Sequence, residues 1–197
     1  MRTYLQRLPI AIASAGLFFA SGAYAAGAED AVFSAYQKLL GAKFAADVTT
    51  VSGGNTIKTH SEYDTVQRIH MKNDKMEMIV LPEGTWMRTG DHWTQPPMDM
   101  SGMVKQFFPQ SADEMRSMIK SATDSGATSW NGQPVHTYSY QVDTTVMGIH
   151  VNSTNKLFVN AGGQIVHVES DGEAMGRKSQ TSQDIRYDDS IKVTPPK

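Results

Sequence analysis

Lys75-Met76-Glu77-Met78-Ile79-Val80-Leu81-Pro82-Glu83-Gly84-Thr85-Trp86-Met87-Arg88-Thr89 is the stretch that decides the fold. Met76, Met78 and Val80 alternate with Lys75 and Glu77, which is the period-2 pattern of a strand with one buried face. Pro82-Glu83-Gly84 is turn chemistry, and Thr85–Thr89 resumes as a second strand. A strand, a tight turn and a strand of this kind are the unit of an antiparallel meander.

The same texture extends upstream. Lys43–Ser52, Thr56–Tyr63 and Thr65–Lys72 read as strands, separated by Gly53-Gly54-Asn55 and Asn73-Asp74. Before them, Val32, Phe33, Tyr36, Leu39 and Leu40 recur at helical spacing, which predicts an amphipathic helix over Ala28–Leu40 closed by Gly41. Downstream the strand texture stops between Pro96 and Thr123. Pro109 divides that stretch into two expected helices, Ser101–Phe108 and Ala112–Ser121, with Ser111 and Glu114 as a capping box. Strands are then expected at Ala127–Trp130, Gln133–Thr144, Met147–Asn152, Lys156–Asn160, Gln164–Asp171 and Arg177–Asp188, followed by an extended Ile191–Pro195. Asn131-Gly132 is a hairpin signal, and turns are also expected at Asn152–Asn155 and Gly172-Glu173. The class is α+β: one long curved antiparallel sheet of about 10–11 strands, with helices packed on one face.

The first residues carry an address. Met1–Arg7 is charged only by Arg2 and Arg7, Leu8–Ala20 is apolar, and small residues lead to Ala23-Tyr24-Ala25. That order predicts an export signal over residues 1–25 and one domain over 26–197. The apolar run falls short of the ~20 residues of a membrane-spanning helix. With Arg2 and Arg7 removed, 16 basic residues face 20 acidic ones, and no basic cluster suits nucleic acid. The chain has no cysteine. It is therefore expected in the periplasm, soluble, without disulfides and without a lipid anchor.

Three segments carry a family resemblance. Ile79–Trp93 resembles the strand–turn–strand ending in G-x-W of the LolA-like periplasmic lipoprotein carriers and the related LppX-type lipid-binding proteins. Lys156-Leu157-Phe158-Val159-Asn160-Ala161-Gly162-Gly163-Gln164-Ile165-Val166 is similar to their glycine-turned hairpin, and Asp184–Pro196 to their closing Y-x-x-x-I-x-V-P strand. The resemblance implies an incomplete β-barrel whose open face is covered by the N-terminal helix and the central helical insert. It also implies an apolar cavity between them that takes acyl chains.

Trp86, Trp93, Met98, Met100, Met103, Val104, Phe107, Phe108, Met115, Met118 and Ile119 are the candidate ligand-lining residues. Methionine is unbranched and polarizable, so it adapts to varied apolar partners. An ordinary methionine-rich core explains the same cluster. Met76-x-Met78 and Met98-x-Met100 also suit Cu(I), which prefers thioether sulfur. For catalysis there is no G-x-S-x-G elbow, no H-E-x-x-H helix and no cysteine nucleophile, and the six histidines are scattered. A non-enzymatic monomeric carrier of lipids, lipoproteins or other acylated amphiphiles is expected, with no cofactor. Its partners would be the acylated ligand and a membrane-associated donor or acceptor protein. An envelope-stress sensor or protein-interaction module on the same fold is the alternative, and a Cu(I)-binding protein a further one.

Overall fold

Side-chain alternation in the first strand sorts the whole sheet into two faces. Phe44 and Ala46 belong to one buried cluster, whereas Ala45 between them belongs to a second. Successive side chains of a strand point to opposite faces, so the two clusters lie on opposite sides of the sheet. The computed structural model describes residues 23–96, 112–146, 148–174 and 176–196. The N-terminal half has helix α1 (Ala23–Leu40) and strands β1 (Phe44–Ser52), β2 (Asn55–Thr65), β3 (Arg68–Asn73), β4 (Glu77–Leu81), β5 (Gly84–Thr89) and β6 (His92–Thr94). After helix α2 (Ala112–Met118) come β7 (Ile119–Trp130), β8 (Gln133–Val146), β9 (Ile149–Asn160), β10 (Ile165–Ala174) and β11 (Arg177–Tyr187).

All eleven strands form one antiparallel sheet in the order β6-β5-β4-β3-β2-β1-β11-β10-β9-β8-β7. Two runs of hairpins are thus joined at one seam, where Phe44 faces Tyr187 and Ser52 faces Ser179. The sheet does not close: β6 and β7 are its edges. The chain between Thr94 and Ala112 leads from one edge to the other, so it connects the two rims of the opening.

Helix α1 buries Ala28, Val32, Ala35 and Leu39, an i, i+4, i+7, i+11 stripe. The Gly41 N–H donates to the Gln37 carbonyl at 3.2 Å and ends the helix. The stripe shares one cluster with Phe44, Tyr63, Ile69, Ala122, Tyr140, Leu157, Val168 and Ile185, which lie on eight different strands. Strands lie about 4.8 Å apart, so one helix about 10 Å wide can share a core with eight of them only if the sheet bends around it. The result is an open half-barrel with α1 inside the bend. Val32, Leu157 and Ile165 are fully buried there, each stabilising the fold by about 1.5–3 kcal/mol.

Several boundaries differ from the expected ones. Ile119–Ser121 is strand, not helix, and β7 starts at Ile119 instead of Ala127, because Ile119 and Ala122 pair with Val142 and Tyr140 of β8. The Asn152–Asn155 turn is absent, and β9 runs through it. There Asn155 pairs with Tyr140 on one side and Ser170 on the other. Hydrogen-bonding neighbours on both edges override the turn preference of Asn and Ser. For the same reason β10 continues past Gly172-Glu173, which pair with Ser179 and Lys178. The Asn131-Gly132 hairpin is as expected: φ is 48° and 77° at the two positions, the left-handed pair of a type I′ turn.

Residues 188–196 leave β11 and form no strand ladder. Ile191 and Val193 are nevertheless buried in the second cluster, with Ala45, Ile79, Leu81, Trp86 and Trp93. This segment crosses over β1 to β6 on the face away from α1. Two aliphatic side chains gain about 3–6 kcal/mol by burial. Fixing the backbone of the six or so residues that carry them costs roughly 1–2 kcal/mol each. Apolar burial alone does not offset that cost, so the segment also depends on the hydrogen bonds that Lys43, Asp64 and Arg68 make to its main chain.

Candidate functional site

The face of the half-barrel that carries α1 is the place to look for a ligand, because the sheet bends toward it. On β3, β4 and β5, register places Met71 opposite Met78 and Met78 opposite Met87. The next row is Ile69, Val80 and Thr85. Ile69 belongs to the α1 cluster and Met71 packs on it, so both rows point to the inner face. Three thioethers in a line across three strands form an apolar, deformable strip. Thr85 is 4% exposed, and its Oγ1 finds no hydrogen-bond partner among the described residues. A buried hydroxyl without a partner is costly, and here it borders the methionine strip.

On the C-terminal side of the bend, Tyr36 of α1 meets Tyr140 of β8. Their hydroxyls are 2.5 Å apart and the rings meet edge to face at 6.1 Å. Burial pushes both phenols above their ordinary value of 10, Tyr140 well above it. Both are neutral at physiological pH. Helix α2 is tied to α1 by Arg116, whose Nη2 lies 2.8 Å from Asp30 Oδ1 and whose guanidinium sits 4.3 Å above the Phe33 ring. Stacking on an aromatic face strengthens an ion pair that is otherwise open to solvent.

The expected lining residues divide into three groups. Ile119 is half-buried and packs on the α1 cluster, and Met118 just before it is also half-buried. Trp86 and Trp93 lie on the opposite face, because Trp86 pairs with Ile79 and Trp93 with Arg88, out of phase with Val80 and Met87. Met98, Met100, Met103, Val104, Phe107 and Phe108 lie outside the described residues, as does the side chain of Met115. Met71, Met87, Thr85 and Arg116 are the residues that sequence reasoning missed. The methionine row was readable: a two-residue turn at Pro82-Glu83 pairs Leu81 with Gly84, and hence Met78 with Met87. Nothing local points to Arg116, since its partner is 86 positions away.

Arg88 on the outer face is occupied structurally. Its Nη1 lies 3.1 Å from Glu77 Oε2, and His70 Nε2 lies 3.0 Å from Glu77 Oε1. Among the described residues no three His, Cys, Asp or Glu side chains are grouped to hold a metal ion. Two open cavities are lined by described residues. One, of about 1160 Å³, lies among the polar ends of the β1–β2, β8–β9 and β10–β11 hairpins, and the other, of about 550 Å³, beside Trp130, Asn160 and Arg186. Neither includes an expected lining residue.

The backbone geometry can be compared with solved proteins. LprF from Mycobacterium bovis superposes with a TM-score of 0.56 at 9% sequence identity, over 87% of this chain and 97% of that one. The Mycobacterium tuberculosis lipoprotein LppX gives 0.55 at 9% identity, over 86% and 99%. The chain has the LolA-like fold. At this identity the likeness establishes the LolA-like architecture and nothing about cargo. No protein-family model matches the sequence, and no curated protein is similar to it in sequence. Within the LolA-like half-barrel described here, no helix among the described residues is long and apolar enough to cross a membrane.

Proposed function

We propose that this chain is an exported, non-catalytic binding protein for lipids, lipoproteins or other acylated amphiphiles. The apolar part of the ligand lies on the α1 face of the half-barrel, against Met71, Met78 and Met87. The observation that carries this reading is the methionine row on a sheet bent toward it, with an unpartnered buried hydroxyl at its border. Flexible thioethers repack around acyl chains of different length, and Thr85 offers one hydrogen bond to an ester or carboxyl oxygen. Met118 and Ile119 flank this face, and Met98, Met100, Met103, Val104, Phe107, Phe108 and Met115 are proposed as further apolar contacts of the ligand from their composition alone. The address at residues 1–25 would deliver the protein to the periplasm. Binding is driven by apolar burial, at about 25 cal/mol per Å², less the ordering of ligand and side chains.

Native mass spectrometry of protein purified from periplasm tests this. A family of adducts whose masses match fatty acids or phospholipids, lost on organic extraction, is expected. Met78→Lys, which places a charge in the middle of the strip, should abolish the adducts while circular dichroism keeps its strand signal. Protein that is adduct-free from the start and does not displace a fluorescent fatty acid at millimolar concentration would end the proposal.

A further inference from the structure

The outer face of the N-terminal half contains a groove built to hold an extended peptide. Its floor is Ala45, Ile79 and Leu81, and Trp86 and Trp93 form a wall. Apart from one main-chain bond, from the Asp188 N–H to the Lys43 carbonyl at 3.2 Å, its rim grips main chain by side chains. Lys43 Nζ donates to the Ile191 carbonyl at 2.9 Å, and Arg68 Nη1 to the Val193 carbonyl at 3.2 Å. Asp64 Oδ2 accepts the Val193 N–H at 3.4 Å, and Asp64 Oδ1 pairs with Lys43 at 2.7 Å. Glu83 holds Arg68 in place through two contacts of 3.0 and 3.1 Å. Side chains two positions apart, Ile191 and Val193, fill the apolar floor, as alternate residues of an extended segment do.

The occupant crosses the strands instead of joining them, so the main-chain bond to the sheet that its departure breaks is the one from Asp188 N–H to the Lys43 carbonyl, at the end of the β1–β11 seam. A short turn connects it to β11: Ser190 N–H bonds Asp188 Oδ1, and Ile191 N–H bonds the Asp188 carbonyl. We infer that this groove is an exchange site for a second copy of this chain, in which residues 188–196 of each molecule occupy the groove of the other. The occupant that fits is already defined by the segment in place: an extended apolar-x-apolar run whose carbonyls meet Lys43 and Arg68. Reciprocal exchange uses one patch on both molecules and closes as a two-fold dimer. In the monomer the tethered segment competes at high effective concentration, so exchange appears only when protein is concentrated.

Two measurements decide it. The first uses the full chain carrying Ile191→Asp and Val193→Asp, which vacates the groove, titrated with a fluorescein-labelled peptide of residues 188–196. Saturable binding is expected, at least tenfold tighter than to the unsubstituted chain, and weakened several-fold by adding Arg68→Ala. The second mixes two mass-tagged batches of unsubstituted protein at ~1 mM, incubates them, dilutes them and weighs the complexes by native mass spectrometry. Mixed dimers are expected, and Val193→Asp should remove them. No binding to the folded double variant would overturn the inference. Peptide binding without mixed dimers would overturn the second copy as the occupant. If the double variant does not fold, the mixing experiment decides alone, and an absence of mixed dimers rejects the exchange.

Discussion

Thr85 carries a hydroxyl where its cross-strand partner Val80 and its strand neighbour Met87 offer no oxygen. Buried without a partner among the described residues, that group is a defect. Thr85→Val should therefore raise the unfolding free energy by roughly 1 kcal/mol, read from urea denaturation, while weakening the affinity for a fatty acid several-fold. A valine that destabilised the protein would show that the hydroxyl has a partner. Tyr36 and Tyr140 pose the opposite case. Each phenol is held above its ordinary value of 10, by burial first. The contribution of the pair is thus complete below pH 10 and is lost as pH rises through 10 toward the folded values. Thermal melts should show a steep fall in Tm above about pH 10, and Tyr36→Phe should flatten it. Thr85 and the tyrosine pair were opaque in the sequence, because each gets its meaning from a residue on another strand or on α1. The alternation around Met78 was readable, because phase within a strand is local.

At the level of elements, the strand texture and the helix after the first residues emerged from the sequence nearly in place. The errors share one cause. Asn152–Asn155 and Ile119–Ser121 carry turn-like or helix-like composition, yet each is flanked by a strand whose backbone needs partners. Tertiary pairing wins such contests. Trp86 and Trp93 reached the opposite face from α1 for a related reason: a one-residue change of phase moves a side chain to the other side of the sheet. The β7–β8 turn is the reverse case, since it depends on two residues alone. Gly132 has a φ of 77°, so Gly132→Ala places a Cβ in the left-handed region and should cost about 1–2 kcal/mol. The check is a drop of several degrees in Tm. An unchanged melting curve would mean that this turn adopts another type in solution.

For the whole molecule, the crossing segment 188–196 links the last strand to the first six, and its acidic anchor is Asp64. The hydrogen bond from Lys43 holds the Asp64 carboxyl below its ordinary value of 3.8. A depressed carboxylate contributes stability that is present above that ordinary value and is lost as pH falls through the folded one. Limited proteolysis between pH 5 and pH 2.5 with an acid-active protease should accordingly cut within 188–196 before it cuts the sheet. Simultaneous loss of all fragments would show that the segment is no looser than the rest. The stretch Ile191–Pro195 was legible as extended, but its destination was not, since Asp64 and Arg68 lie over 120 positions away.

The seam between Phe44 and Tyr187 has a kinetic meaning. Every other strand pair is a neighbour in sequence or, like β6 and β7, left unpaired, whereas this pair closes a loop of 143 positions. Lengthening a loop adds only about 0.6 kcal/mol per doubling, but long-range pairing slows folding far more than it weakens the product. We expect the two hairpin stacks to pair locally before the seam closes, which leaves β1 and β11 as unpaired strand borders until then. Such borders invite pairing with other chains, so β1 and β11 are the surfaces a chaperone would have to shield.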